Sequence, residues 1–393
     1  MKRYFLLLIS FISIISYAQS TISEGFYRVQ NFKTNRYMFV QDDEASIVPQ
    51  AGTADLGAIT PWLASAKSPL SDPQSVIYVR PRGDGYDLVA QGMSTYQKIQ
   101  LPIKISQYGT TDTYRCSAIK GGFSLYLSDQ TTDLSKDKGK LGTKIPDNDA
   151  DFSRWYARKI TPSSDENYFG VKPTIEVDGK YYTTFFAGFS FIVASPGIKV
   201  YIASEISDGK VVLKDVSDQE IPAKTPVIIE CSSKNPSNNR LNLTGVGGTT
   251  FSQKLTGVYF CNYPEADDEF PHKNTVVYNS SSMRVLGKSS SGKLAFVKGS
   301  ESNLIYGEQD GAPVLCIPAN TAVLKASSDK LSDEMIVTTS TSGLESVSLE
   351  VPDTQVVYSV VGVKVGEYSN DVNLSEILPK GIYVVNNKKF VVK

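Results

Sequence analysis

Histidine is the scarcest reactive residue of this chain. His272, in the loop Phe270-Pro271-His272-Lys273, is the only one in 393 residues. A Ser-His-Asp or Cys-His relay would have to use that imidazole as its base, and no Gly-x-Ser-x-Gly elbow accompanies it. A lone loop histidine reads first as solvated. Zinc catalysis wants two or three histidines, and no Cys-x-x-Cys spacing offers another ligand set. Asp147, Asp149 and Asp151 alternate as the opening of a calcium loop does. Phe152 and Arg158, however, stand where an EF-hand needs its turn glycine and its bidentate glutamate. A looser calcium site is the only cofactor the sequence leaves open. Glu265, Asp267, Asp268 and Glu269 form an acidic tip, read as a solvated loop first and a calcium site second. Glycoside hydrolysis needs two convergent carboxylates, which spacing alone does not identify. There is no P-loop and no dinucleotide-binding glycine fingerprint.

Four cysteines, Cys116, Cys231, Cys261 and Cys316, permit two disulfides in an exported chain, with the pairing open. Three of them close apolar, strand-like runs (PVIIEC, GVYFC, PVLC), where buried free thiols fit equally well. Lys and Arg number 40 against 41 Asp and Glu, a balance that argues against nucleic acid as a partner. Tyr181-Tyr182 and Phe185-Phe186 offer rings for sugar stacking, although an alternating strand buries half of such residues.

The elements that must position these residues are strands. No long segment carries apolar residues at helical spacing, and Tyr, Phe, Val and Gly are abundant. Lys2 and Arg3 precede an apolar stretch over residues 5–15, and Ser16-Tyr17-Ala18 suits a signal peptidase. Residues 1–18 are therefore expected as a signal peptide, and the protein as exported. No other stretch approaches the ~20 apolar residues of a membrane-crossing helix.

In residues 21–162 three hairpins are expected. Gly25-Phe26-Tyr27-Arg28-Val29-Gln30 turns at Lys33-Thr34-Asn35-Arg36 into Tyr37-Met38-Phe39-Val40. The other two turn at Arg82-Gly83-Asp84-Gly85 and at Gly121-Gly122, and Trp155-Tyr156-Ala157-Arg158-Lys159 follows as a closing strand. Threefold repetition allows a barrel of six strands capped by three hairpins, without an open edge. The phrase G-x-Y-R-V-Q-N-x-K-T-x-R-Y resembles the opening of ricin-type β-trefoil domains, whose Gln-x-Trp motif is not found here. That resemblance implies glycan binding, with Trp62, Trp155, Tyr37 and Tyr86 as the candidate contacts.

Ser163-Ser164-Asp165-Glu166-Asn167 is expected as a polar linker to a second β region, residues 168–335. This region repeats itself. A Gly-Lys hairpin precedes Ile221-Pro222-Ala223-Lys224-Thr225, and another precedes Ile317-Pro318-Ala319-Asn320-Thr321. Two similar sheets packed face to face are expected. Residues 340–393 read as a compact antiparallel β-sandwich module. Its phrases VYSVVGVKV, LPKGIYVV and KKFVVK resemble, in order, the type IX secretion sorting domain of Bacteroidetes proteins. The resemblance implies recognition by the type IX export machinery and a place at the outer-membrane surface or outside the cell.

The expectation is thus a mainly β exported protein: a β-trefoil-like domain, a repeated β-sandwich-like region and a sorting module. Its simplest function is non-catalytic binding to a glycan or a host or extracellular surface. The alternatives are a carbohydrate-active or proteolytic enzyme with its site in residues 168–335, and a structural surface protein.

Overall fold

The computed structural model describes residues 22–40, 61–64, 69–83, 85–91, 104–107, 113–120, 123–129, 138–144, 150–258, 276–309, 312–326, 331–339, 354–359, 363–369, 372–385 and 388–392. The expected signal peptide, Cys261, the 265–269 acidic tip, His272, Asp147 and Asp149 lie outside them. The chain is mainly β and divides into two compact units, Met1–Thr339 and Ser340–Lys393. Among the described residues no helix is long and apolar enough to cross a membrane.

The first ten strands are β1 (Gly25–Asn31), β2 (Tyr37–Val40), β3 (Pro61–Ala64), β4 (Ile77–Arg82) and β5 (Gly85–Ala90), then β6 (Lys104–Gln107), β7 (Thr113–Lys120), β8 (Phe123–Asp129), β9 (Lys138–Lys144) and β10 (Trp155–Lys159). The three expected hairpins are β1–β2, β4–β5 and β7–β8. The first turns because Asn31 Oδ1 accepts from the amides of Lys33 and Thr34, while Asn35 takes a left-handed φ of 57°. The closing strand β10 pairs with β1 from Tyr27↔Lys159 to Asn31↔Trp155, and with β7 at Trp155↔Tyr114. A second path, β2–β3–β9–β8, also links β1 to β7, so the pairings close a circuit. Inside sit Val29, Ile77, Val79, Leu88, Ile105, Leu127 and Trp155. Each such side chain contributes roughly 1.5–3 kcal/mol by leaving water.

The expected polar linker is not a free tether. Arg28 is 1% exposed and donates to Pro69 O, Ser75 Oγ, Asn167 Oδ1 and Tyr168 O at 2.8–3.1 Å. Arg240 donates to the carbonyls of Pro162 and Ser164. A buried guanidinium needs acceptors, and Asn167 and Tyr168 supply two of the four that Arg28 finds. The two regions also share one apolar core, in which Phe26, Tyr78 and Val89 meet Phe169, Phe185, Phe189 and Phe191. The Phe26 and Phe189 rings lie 5.8 Å apart, edge to face.

The second region contains β11 (Phe169–Gly170), β12 (Ile175–Val177), β13 (Lys180–Phe185), β14 (Ser190–Val193), β15 (Lys199–Ser207), β16 (Lys210–Asp215), β17 (Val227–Cys231) and β18 (Arg240–Gly245). It continues through β19 (Leu255–Val258), β20 (Met283–Lys288), β21 (Leu294–Val297), β22 (Ile305–Gln309), β23 (Ala312–Cys316), β24 (Thr321–Lys325) and β25 (Glu334–Thr339). The sequence echo is a structural echo: hairpin β15–β16 leads through I-P-A-K-T to β17, and β20–β21, after an intervening hairpin β22–β23, through I-P-A-N-T to β24. The variable residue of each motif takes a left-handed φ, 62° at Lys224 and 56° at Asn320.

The two copies do not form separate sheets. They lie in one sheet ordered β12-β13-β17-β15-β16-β25-β21-β20-β24-β19, with β25 joining them. They nevertheless share a core, because Tyr201, Leu213 and Ile228 of one copy pack with Leu286, Phe296 and Leu324 of the other. Both faces of these strands are buried. Val227 and Ile229 enter the aromatic core shared with the first region while Ile228 points the opposite way, so the runs read as continuously apolar.

The C-terminal unit comprises β26 (Thr354–Ser359), β27 (Lys364–Ser369), α1 (Leu374–Ile377), β28 (Gly381–Val385) and β29 (Lys388–Val392). Among the described residues it is a single antiparallel sheet, β27-β26-β28-β29, rather than the expected sandwich. Leu374 and Leu378 of the helical turn cover Val357 and Val392, supplying the second layer in place of strands.

Candidate ligand groove

The ten-stranded sheet leaves a groove where β12 and β13 face β20 and β24. One part encloses about 880 Å³ and the adjoining part about 700 Å³. The hydroxyl residues Thr174, Thr183, Thr184, Ser302 and Thr321 line both. Their placement follows from the strands. On β13 Thr183 and Thr184 stand between Tyr182 and Phe185, on opposite faces of the strand, and are 5% and 8% exposed. Thr184 Oγ1 accepts from the Ala322 amide at 3.1 Å and so ties β13 to β24. Thr321 Oγ1 donates to Pro318 O within the second I-P-A-x-T motif.

The acids at one end of the groove are occupied. Asp333 pairs with Lys298 at 2.8 Å and with fully buried Arg284 at 3.6 Å. Glu334 accepts from the Ser290 amide and hydroxyl at 2.8 and 3.0 Å. At the other end the wall passes to the first region through Ser71, Asp72, Pro73 and Gln74. Asp72 caps the short 3₁₀ turn Pro73–Ser75, its Oδ1 accepting from the Gln74 amide at 2.9 Å. Loss of water around it pushes its carboxyl up to about 6, opposed by the Gln74 hydrogen bond and the charge of Arg28. Asn320, which lines the same part of the groove, donates to Gln91 Oε1 and to Phe186 O, both at 2.9 Å, latching the first region to the second.

The candidates from the sequence fall elsewhere. Trp155 is 1% exposed and gives its indole N–H to Leu127 O at 2.9 Å, so it has no free ring face and belongs to the core. Tyr86 packs, half-buried, against that same core. Tyr37 is half-buried on β2 opposite Gln30, and Trp62 lies on β3 between Phe39 of β2 and Lys140 of β9. Asp151 faces Arg154 at 3.7 Å. Among the described residues no group of His, Cys, Asp and Glu is placed to hold a metal. Cys116, Cys231 and Cys316 are buried free thiols. Burial pushes Cys116 and Cys231 up to about 12 and raises Cys316. A thiol held that high is a poor nucleophile at neutral pH. Sequence reasoning missed the groove; its traces are the paired threonines of KYYTTF and the repeated threonine of I-P-A-x-T.

No family model and no curated protein matches the chain. Among solved structures it is similar to a mosquitocidal holotoxin, with 10% identity and a TM-score of 0.24. The match covers 87% of this chain but only 37% of the holotoxin chain, so this chain spans little more than a third of that length.

Proposed function

We propose that this protein is an exported, non-catalytic binding protein of the outer-membrane surface or extracellular space, and that its ligand is a glycan. The hydroxyl-lined groove carries this reading. Threonine and serine hydroxyls both donate and accept hydrogen bonds, as sugar hydroxyls do, and the aliphatic faces of Ile305 and Pro318 supply apolar contact between them. The rim acids Asp333 and Glu334 hold structure rather than facing each other across a bond to be cleaved. The trefoil-like reading of residues 21–162 is supported by the three hairpins and by the return of β10 to β1. On this account that region frames one end of the groove.

A carbohydrate-active enzyme is the second reading, favoured by the raised carboxyl of Asp72, a property of general acids. A glycan array probed with the chain from Gln19 onward separates the two. Retained glycan recovered intact by chromatography supports binding; shortened products identify a hydrolase. Export is tested by fusing residues 340–393 to a reporter in a Bacteroidetes host with an active type IX system. Surface or medium delivery supports the sorting reading, and retention in the periplasm refutes it.

A further inference from the structure

Exposed apolar surface gathers in the smaller, C-terminal unit. Of the nine large apolar side chains exposed among the described residues, six belong to it: Tyr358, Val363, Val365, Ile377, Ile382 and Val391. Apolar area of that kind marks a contact surface when it is contiguous. The strand registers show that it is. Tyr358 on β26 stands directly opposite Val384 on β28, and Ile382, two residues before Val384, stands opposite Val391 on β29. Directly opposed residues of antiparallel strands share a face, as do residues two apart, so these four form one patch. Tyr358, Ile382 and Val391 are 40–48% exposed. The helical turn does not cover them, because Leu374 and Leu378 pack with Val357 and Val392, the neighbours of Tyr358 and Val391 on the other face.

The same registers place a cation at each end of this patch. Tyr358 is opposed by Lys364 of edge strand β27, and Val384 by Lys389 of edge strand β29, giving the row Lys364–Tyr358–Val384–Lys389 across all four strands. Lys364 meets Glu367 at 2.8 Å, with both side chains about half in water, where such a pair holds weakly. Lys389 is exposed and has no ion-pair partner among the described residues. A second copy fits this face poorly. Stacking two such sheets about a two-fold axis centred on the row sets lysine against lysine at both ends, whether the axis runs along the strands or along the row. A partner with an apolar interior and an anionic surface meets both demands.

We propose that this face docks on an anionic phospholipid bilayer, with Ile382, Val391 and the Tyr358 ring entering the boundary between headgroups and acyl chains and with Lys364 and Lys389 reaching lipid phosphates on either side. Amphipathic helices bind interfaces by this division: buried apolar area supplies the attachment, and lysines near the surface add attraction to acidic lipid. A sheet face divided in the same way obeys the same physics. Lysine has the length to keep its ammonium at the phosphates while its stem lies along the apolar patch. A tyrosine, apolar in the ring and polar at the hydroxyl, suits the same boundary. The docking is independent of the glycan groove, which belongs to the first unit, so either proposal can fail alone.

The test is co-sedimentation of the chain from Gln19 onward with sucrose-loaded vesicles, made either of phosphatidylcholine alone or of phosphatidylethanolamine and phosphatidylglycerol in equal parts. Two double variants are compared with wild type: Ile382→Ser with Val391→Ser, and Lys364→Gln with Lys389→Gln. All four sites are exposed, and equal urea midpoints verify that the fold is kept. The expected result is sedimentation with the phosphatidylglycerol vesicles that each double variant weakens about tenfold or more, and that the lysine variant reduces to the phosphatidylcholine level. Raising salt to about 0.5 M should weaken wild type and leave the lysine variant nearly unchanged. No sedimentation with either vesicle, or sedimentation that both double variants retain, overturns the proposal. A dimer in vesicle-free sedimentation equilibrium that Ile382→Ser with Val391→Ser dissolves assigns the face to a second copy and overturns it as well.

Discussion

Replacing Asn320 by alanine tests the latch that fixes the groove between the two regions of the first unit. Its Nδ2 donates to Gln91 Oε1 and to Phe186 O, both at 2.9 Å, and Asn320 is 6% exposed. Alanine removes both bonds and the longer one that Asn320 Oδ1 accepts from Gln91 Nε2 at 3.4 Å, at about 1–3 kcal/mol for each buried polar group that loses its partner. It also places a Cβ without a polar tip at φ 56°, which costs roughly 1–2 kcal/mol more for a residue that cannot bond locally. The expected loss is about 3–5 kcal/mol after allowing for partial hydration of the stranded groups. Glycine loses the same bonds but not the backbone strain, so Asn320→Gly should recover about 1 kcal/mol relative to alanine. Urea unfolding of the two variants and wild type, compared at equal m-value, gives both differences. A loss below 1 kcal/mol for Asn320→Ala, or alanine more stable than glycine, refutes the latch.

Other consequences follow from single residues. Trp155→Phe removes the indole bond to Leu127 and part of the core volume, and should cost about 2–4 kcal/mol in urea unfolding. At Gly170 an added Cβ would run into the Pro236 carbonyl oxygen and leave backbone no room to yield. Gly170→Ala should lower the unfolding midpoint, equivalent to roughly 1–3 kcal/mol, whereas Gly83→Asn in an open turn should change it little. Asp72 is held above its unfolded value of 3.8 at about 6, so the folded state binds the extra proton between those values. Its presence should reduce stability as pH rises from about 4 to about 6. Asp72→Asn should therefore be more stable than wild type at pH 7.5, and the gain should vanish near pH 4. A thiol reagent should modify Cys116 and Cys231 only after denaturation, as read by peptide mass spectrometry.

The local parts of this fold are legible in the sequence, because alternation and turn residues act over a few positions. Asn31, Asn35 and the Arg82-Gly83 turn mark hairpins where the hairpins are, and I-P-A-x-T marks both copies of the second region. What joins those parts is not local. That both copies enter one sheet depends on β25, which pairs parallel to β16 and antiparallel to β21. The linker reading of residues 163–167 fails because Arg28, far off in sequence, needs Asn167. Trp155 looks like a sugar platform by residue type, yet its place on the closing strand turns it inward. The groove stays invisible for the same reason: the Thr184–Ala322 contact that ties its walls spans 138 residues.

Saturation binding of a glycan-array ligand to wild type and to Ser302→Trp, side by side, tests the central claim most directly. Ser302 is exposed and lines both parts of the groove, so an indole there blocks the groove and leaves the core intact. Saturable binding by wild type that Ser302→Trp abolishes, with both proteins unfolding at the same urea concentration, is the predicted result. Equal binding by the two proteins would place the ligand elsewhere and contradict the account.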